Sequence, residues 1–289
     1  MTEDEAASAA GVEQGSRNLL MRVIAASVLA PSAIAIAYAG GWLWLGLVTL
    51  AAIGLYVEWL TIVGARTPRV MAAGMVTLFG AAVCLEIGRI GATYVIVALG
   101  VIIVALLSRH RRGWAALGGC YAFAALVASV AVRLDQIYGF TALMFILLVV
   151  WVTDIGGYFA GRGLGGPKLW PRVSPKKTWA GAVGGFAASL VVAAGFFAFD
   201  PNKGDPQLML KMGPLLLLGA VLSIASQFGD LFESAVKRRF GVKDSSHIIP
   251  GHGGLLDRLD GFVAAVVLAA IFGFLRGGAD GVGRGLMVW

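Results

Sequence analysis

Charge is what this 289-residue chain has least of. Asp, Glu, Lys and Arg together make up 13% of it, about half the usual share of a soluble domain. Hydrophobic residues make up 58%, and the mean hydropathy is +0.84. That balance excludes an ordinary water-soluble globular fold, which needs more polar side chains to cover its surface. Cysteine is nearly missing. Cys84 and Cys120 lie far apart in apolar stretches, which excludes a disulfide framework and a thiolate metal centre; both are expected as small core residues. Also missing is a positively charged leader. The first acids are Glu3, Asp4 and Glu5 and the first basic residue is Arg17, so no secretory signal peptide is expected. Residues 1–16, rich in Ala, Gly, Ser and acid, are expected as a disordered tail. Period-two alternation is absent too, which excludes a membrane β-barrel.

What the chain has instead is apolar runs of roughly 18 to 25 residues, each enough to cross about 30 Å of hydrocarbon. The expectation is an all-α, polytopic integral membrane protein of about nine transmembrane helices. They are placed at 18–39, 42–63, 69–87, 91–107, 114–132, 138–160, 178–198, 213–236 and 261–276, the first two divided only by Gly40-Gly41. Forty-one glycines suit close helix packing, and Gly157/Gly161 and Gly181/Gly185 form two GxxxG pairs for that purpose. With the N-terminus cytoplasmic, seventeen of the 23 lysines and arginines fall on the cytoplasmic side, as the positive-inside rule asks. The same arrangement puts two polar loops, 161–177 and 237–260, on one face. The chain then divides into the tail 1–16, membrane helices over 17–140, and a C-terminal region, 141–289, that holds the chemistry.

The segment from Ser234 to Asp260 carries basic residues, aspartates, histidines and a Pro250-Gly-His-Gly-Gly254 turn between two apolar spans. Such density at a bilayer edge marks a functional site, because polar groups there need water, partners or a ligand. Asp230, Glu233, Ser234, Lys237 and Arg238 share one helical face. An ordinary helix end meeting lipid headgroups explains the cations but not the two acids. The glycine turn lets backbone N–H groups of Gly253 and Gly254 converge on an anion, with Lys243 and Asp244 just before it. Asp257, Arg258 and Asp260 open the last long helix. Capping explains an acid there; it does not explain one loop bringing acids of two helices together. Two facing carboxylates are what a Mg²⁺ ion needs, with phosphates and waters completing its shell.

The other loop offers Asp154 inside a span, then Lys176 and Lys177 within Ser174-Pro-Lys-Lys-Thr178. That stretch reads equally as a polar helix cap and as a phosphate-binding pair of lysines. His252 is a candidate for phosphate contact or proton transfer, and His247 has no ligand pattern. Lys168 and Trp170 suit lipid or nucleotide contact. Arg109, His110, Arg111 and Arg112 form a topology signal. Glu58 and Glu86 lie near span ends and are expected to reach the interface.

Taken in order, Ser234-x-x-Lys237-Arg238, Lys243-Asp244 and His252-Gly-Gly-x-x-Asp257-Arg258-x-Asp260 resemble the signature of phosphatidate cytidylyltransferases, the CDP-diacylglycerol synthases. Asp154-x-x-Gly-Tyr-x-x-Gly-Arg162, Ser174-Pro-Lys-Lys-Thr-x-x-Gly181 and Gly229-Asp-x-x-Glu-Ser234 are similar to that family as well. The likeness is specific over about 150–262, and over 1–140 it is one of hydropathy and length. It implies a dimeric, multi-pass enzyme of a bacterial inner membrane with its site facing the cytoplasm. The implied reaction joins CTP and phosphatidic acid into CDP-diacylglycerol and pyrophosphate, with Mg²⁺ as cofactor and in some members also K⁺. By motif position, Asp230 and Asp257 are the expected metal carboxylates, and Ser234 and Lys237 the catalytic residues beside them. Asp154, Lys176, Lys177, Arg238, Lys243, Asp244, His252, Gly253, Gly254, Arg258 and Asp260 are the expected substrate-binding set. Two other readings stand against it: a CTP-dependent enzyme of polyprenol phosphates, and a transporter whose buried acids carry ions.

Overall fold

The computed structural model describes residues 27–28, 30–200, 210–246, 253–279 and 281–289. Its first helix, α1 (Ala30–Ala39), is short. Eight longer ones are apolar enough to cross a membrane: α2 (Gly41–Ile62), α3 (Pro68–Glu86), α4 (Ile90–Leu107), α5 (Arg112–Leu134), α6 (Gly139–Leu164), α7 (Trp179–Ala198), α8 (Met212–Arg239) and α9 (Leu256–Gly277). A short α10 (Val282–Met287) follows. The helical membrane architecture is as the sequence implies. The span expected at 18–39 and the tail at 1–16 fall partly or wholly outside the described residues.

Local chemistry sets the boundaries. Gly40, at φ 67, breaks α1 from α2, a conformation that L side chains avoid. Arg133 closes the exposed end of α1 by donating from Nε to the Ala37 carbonyl (2.6 Å) and from Nη2 to that of Tyr38 (2.8 Å). Thr67 caps α3, with Pro68 in its first turn, and Thr178 caps α7 by accepting the Gly181 N–H at 3.1 Å. Two expectations shift. α6 runs to Leu164, and much of the polar stretch after it folds as an antiparallel hairpin, β1 (Lys168–Trp170) with β2 (Ser174–Thr178). α9 begins at Leu256, so Asp257 and Asp260 lie within its first turns. Cys120 is exposed and Cys84 is half-buried. The core expectation therefore fails for Cys120, a small apolar residue that a lipid-facing surface also accepts.

Buried aromatic rings join α2 to its neighbours by turning their polar ends to backbone carbonyls. Trp44 Nε1 donates to Ser129 O (3.1 Å), Tyr56 OH to Val70 O (2.9 Å) and Trp59 Nε1 to Trp114 O (2.8 Å). α10 folds back onto the bundle. Arg276 Nη1 donates to the Gly285 carbonyl at 2.6 Å, and the Arg284 N–H donates to Asp135 Oδ2 at 2.7 Å. The sequence reading placed no helix there.

The most extensive helix pair is α6 with α7. Its seam is glycine: a Cβ added to Gly185 would lie 2.4 Å from the Thr153 carbonyl oxygen, and one on Gly181 would lie 2.8 Å from that of Gly157. The obstacle is backbone in both cases, so only glycine permits this approach, as the GxxxG spacing implies. Gly185→Val should therefore push α6 and α7 apart, costing about 1–3 kcal/mol. Gly195→Ala, in the same helix with open space around it, should leave stability unchanged or raise it. Thermal unfolding of both variants in one detergent checks the contrast.

Candidate active site

The acids that the sequence places at membrane depth gather where α6, the hairpin, α8 and α9 meet. Gly229 makes this possible, since a Cβ there would stand 2.5 Å from the Asp260 carbonyl oxygen. α8 and α9 consequently touch through backbone one residue from Asp230. Lys177, at the end of β2, reaches across to Asp230 Oδ2 at 2.5 Å. The Ser234 hydroxyl, one turn on, lies 3.4 Å from Asp230 Oδ1. Asp154 on α6 and Asp260 on α9 both lie within electrostatic reach of Asp230 and Lys177, and Arg258 acts on Asp154. Three carboxylates thus share a corner with one closely paired lysine, and the excess of negative charge there favours a bound cation.

A second group adjoins the first. Lys237 Nζ sits between Glu233 Oε2 at 2.7 Å and Asp257 Oδ1 at 2.6 Å. Asp257 Oδ2 accepts three further bonds, from Ser245 N (3.1 Å), Ser245 Oγ (2.9 Å) and Gly254 N (3.0 Å). The glycine turn is therefore folded partly around the protein's own carboxylate. Gly254 N–H points at Asp257, where the sequence alone suggested an anionic ligand. Gly253 adopts φ 85, and an added Cβ would come 3.2 Å from Asp257 Oδ2. Glu233 is buried, and its Oε1 is without a hydrogen-bond partner among the described residues.

The remaining expected residues divide. Lys176 is exposed on the hairpin beside Lys177. Arg238 Nε lies 3.5 Å from the Val173 carbonyl in the hairpin turn. Lys243 and Asp244 stand exposed on the turn after α8, and Arg258 is exposed in the first turn of α9. His252, like His247, lies outside the described residues.

The sequence reading misjudged Glu58. Expected to reach the interface, it is 1% exposed and grips the loop that carries Asp257. Its Oε1 accepts from Ser246 Oγ (2.5 Å) and Leu255 N (2.8 Å). Its Oε2 accepts from Ser245 Oγ (2.8 Å) and Leu256 N (2.7 Å). The signal was available: an acid inside an apolar helix calls for buried partners, the same reasoning that singled out Asp154.

As a cation site the donors fit in part. Among the described residues, no three carboxylate, imidazole or thiolate groups converge on one point. Mg²⁺ needs fewer, since it keeps waters and takes one or two carboxylates plus phosphate oxygens. Asp230 Oδ1, held only by a long hydroxyl contact, suits that role. Asp257 suits it less in this arrangement, because Lys237 and the loop engage both of its oxygens.

Beside the Lys177–Asp230 pair, a groove of about 420 Å³ lies between the hairpin, α7 and α8. Its walls include Trp170, Trp179, Val183, Phe186, Phe228 and Leu231. Trp179 follows Lys177 by two residues, and Phe228 and Leu231 bracket Asp230. The groove is almost wholly apolar and sits on helices long enough to span a membrane.

Comparison with known proteins identifies relatives of this chain. A phosphatidate cytidylyltransferase of Brucella suis is 41% identical over 266 residues, covering 89% of this chain and 93% of that protein. One from Haemophilus influenzae is 43% identical over 165 residues, covering 53% of this chain and 56% of its own. Another, from Bacillus subtilis, is 47% identical over 131 residues, covering 45% of this chain and 46% of its own. The model of the Cytidylyltransferase family matches residues 20–275. With that match running through nearly every span and through both acidic groups, the chain belongs to the cytidylyltransferase family.

Proposed function

We propose that this protein is a phosphatidate cytidylyltransferase, joining CTP and phosphatidic acid into CDP-diacylglycerol and pyrophosphate. The observation that carries the reading is a charged, carboxylate-rich corner on the same hairpin and helix, β2 and α8, whose neighbouring residues Trp179, Phe228 and Leu231 line an apolar groove. A phosphate headgroup and an acyl chain need those two surroundings side by side. The relatives' shared name supports the same assignment.

In the reaction a phosphatidate phosphate oxygen forms a bond to the α-phosphorus of CTP. The bond from that phosphorus to the bridging oxygen of the β-phosphate breaks, and its electron pair leaves with pyrophosphate. The attacking phosphate is largely ionised near neutral pH, so no general base is needed. Both reactants are anions, so charge neutralisation and alignment dominate the barrier. Lys176, Lys177, Arg238, Lys243 and Arg258 are assigned to holding phosphates, with Gly253 beside them.

Mg²⁺ belongs to the proposal, with K⁺ as a second candidate ion. Asp230 would hold Mg²⁺, with Asp154 and Asp260 close by, and the bound ion would supply electrostatic relief for the phosphates. Asp257 can join only if Lys237 leaves its Oδ1. Lys237, still paired with Glu233, would then have its ammonium open to the phosphates on the other side. In the described arrangement Lys237 itself occupies the cation's place between Glu233 and Asp257.

The site is assigned to the cytoplasmic face of a bacterial plasma membrane. The basis is the lysine and arginine distribution and the bacterial source of the relatives. Homodimerisation is proposed from the family resemblance alone.

The test uses purified full-length protein in detergent with radiolabelled CTP, phosphatidic acid and Mg²⁺. Label should enter the organic phase only with phosphatidic acid present, and chelation should abolish it until Mg²⁺ is restored. Asp230→Asn, checked for folding, should lose roughly two to three orders of magnitude in turnover. CTP binding without lipid-soluble label would move the assignment to polyprenol-phosphate chemistry, and ion flux without nucleotide consumption would move it to a transporter. The groove carries its own prediction. Val183→Trp should raise KM several-fold for long-chain phosphatidic acid and leave a dihexanoyl analogue within about twofold, because only the long chain reaches the groove. Equal effects on both lipids would remove the groove from the lipid site.

A further inference from the structure

We propose that Glu58 is a positioning residue for this site, acting from α2 on the turn that presents Asp257. The inference rests on the cytidylyltransferase reading for its kinetic part and on geometry alone for the rest.

Glu58 accepts four hydrogen bonds, two on each carboxylate oxygen, and all four donors are neutral. They come from two places in the sequence. Ser245 and Ser246 precede the glycine turn, and Leu255 and Leu256 follow it. One side chain thereby fixes both ends of the segment that leads into α9. Leu256 is the first residue of α9, and neither it nor Leu255 has a capping side chain of its own. Glu58 supplies that cap from another helix, placing a negative charge at the N-terminus of α9, where it is favoured.

Coupling to the site is direct. Ser245 Oγ lies 2.8 Å from Glu58 Oε2 and 2.9 Å from Asp257 Oδ2. A hydroxyl has one proton, so these two carboxylates compete for a single donor. Gly254 completes the arrangement. A Cβ there would overlap Ser245 Oγ and stand 2.6 Å from Glu58 Oε2, while its own N–H bonds Asp257. The angle at which Asp257 meets Lys237 is thus set by a residue on the far side of the loop.

Glu58 is itself rigidly held. Its neighbour Trp59 stacks on Tyr121 of α5 at 5.4 Å and on Phe232 of α8 at 6.0 Å between ring centroids. Trp59 also packs onto Gly118, where any side chain would collide with the indole. The helices that carry Glu58 and Glu233 are therefore locked in register.

Glu58→Gln keeps the shape but leaves one end of the side chain a donor, so two of the four donors lose their acceptor whichever way the amide turns. Hydrogen exchange of the full-length protein should accelerate by roughly tenfold or more at Leu255 or Leu256, whichever faces the amide nitrogen, and more weakly at Ser245, whose N–H bonds Asp257, with α5 and the rest of α2 unchanged. With CTP and long-chain phosphatidic acid, kcat/KM for CTP should fall by roughly tenfold or more while KM for phosphatidic acid stays within about twofold. Glu58→Asp, which keeps the charge, should recover part of the loss. Unchanged exchange at the three amides would overturn the clamp. Faster exchange there with unaltered kinetics would overturn positioning. Faster exchange throughout α2 and α5 would make Glu58 a general support of the bundle and overturn the proposal too. Should Glu58→Gln not fold, Ser246→Ala removes one donor and should still raise exchange at Leu255 by roughly two- to fivefold. A wild type that holds these amides protected but turns over no CTP would defeat the enzymatic reading and leave the clamp standing.

Discussion

A carboxylate drawn below the membrane surface must be given donors by the protein, because water is not there to supply them. That requirement organises this molecule. Asp257 receives Lys237 on one oxygen and a serine and a glycine of the preceding loop on the other. Lys237 in turn needs Glu233, the serine is shared with Glu58, and Glu58 needs the start of α9. Each group is satisfied by one that is itself in need, so the chain of contacts closes across α2, α8 and α9. The charged segment after α8 keeps its place beside greasy helices because of this mutual satisfaction.

The same logic separates two kinds of acid. Glu58 and Asp257 are surrounded by donors and hold the loop. Asp230, Asp154 and Asp260 receive fewer donors, and among the described residues Lys177 is the cation paired with Asp230. An enzyme of two anionic substrates gains from this arrangement. Under the proposal, surplus negative charge would attract a metal, and the metal would in turn attract phosphates that the acids alone repel.

Much of this was legible in the chain. Span positions followed from apolar runs, and the glycine seam of α6 and α7 followed from GxxxG spacing. That one loop brings acids of α8 and α9 together followed from acids placed where acids are costly. What escaped was the partner of each group. Lys237 was expected as a catalytic residue without its partner, because sequence shows its helical face but not that Asp257, twenty residues on, folds back onto it. The turn at Gly253-Gly254 looked like an open anion nest because its internal acceptor is a side chain from the next helix. Glu58 was missed because it was judged by its nearness to a span end, when its donors lie nearly two hundred residues away in sequence. The hairpin was read as loop, since Lys168–Trp170 and Ser174–Thr178 are too short and too polar to show a strand pattern.

The glycine seam has a mechanical meaning. A seam whose closest contacts are backbone and small side chains offers few rotamers to exchange, so α6 and α7 are held together as a pair. The hairpin joins their ends and carries Lys177, which makes helix, hairpin and helix one stiff arm with a cation near its tip. The acidic corner is thus bounded by that arm on one side and by α8 and α9 on the other, which meet backbone to backbone at Gly229 and Asp260.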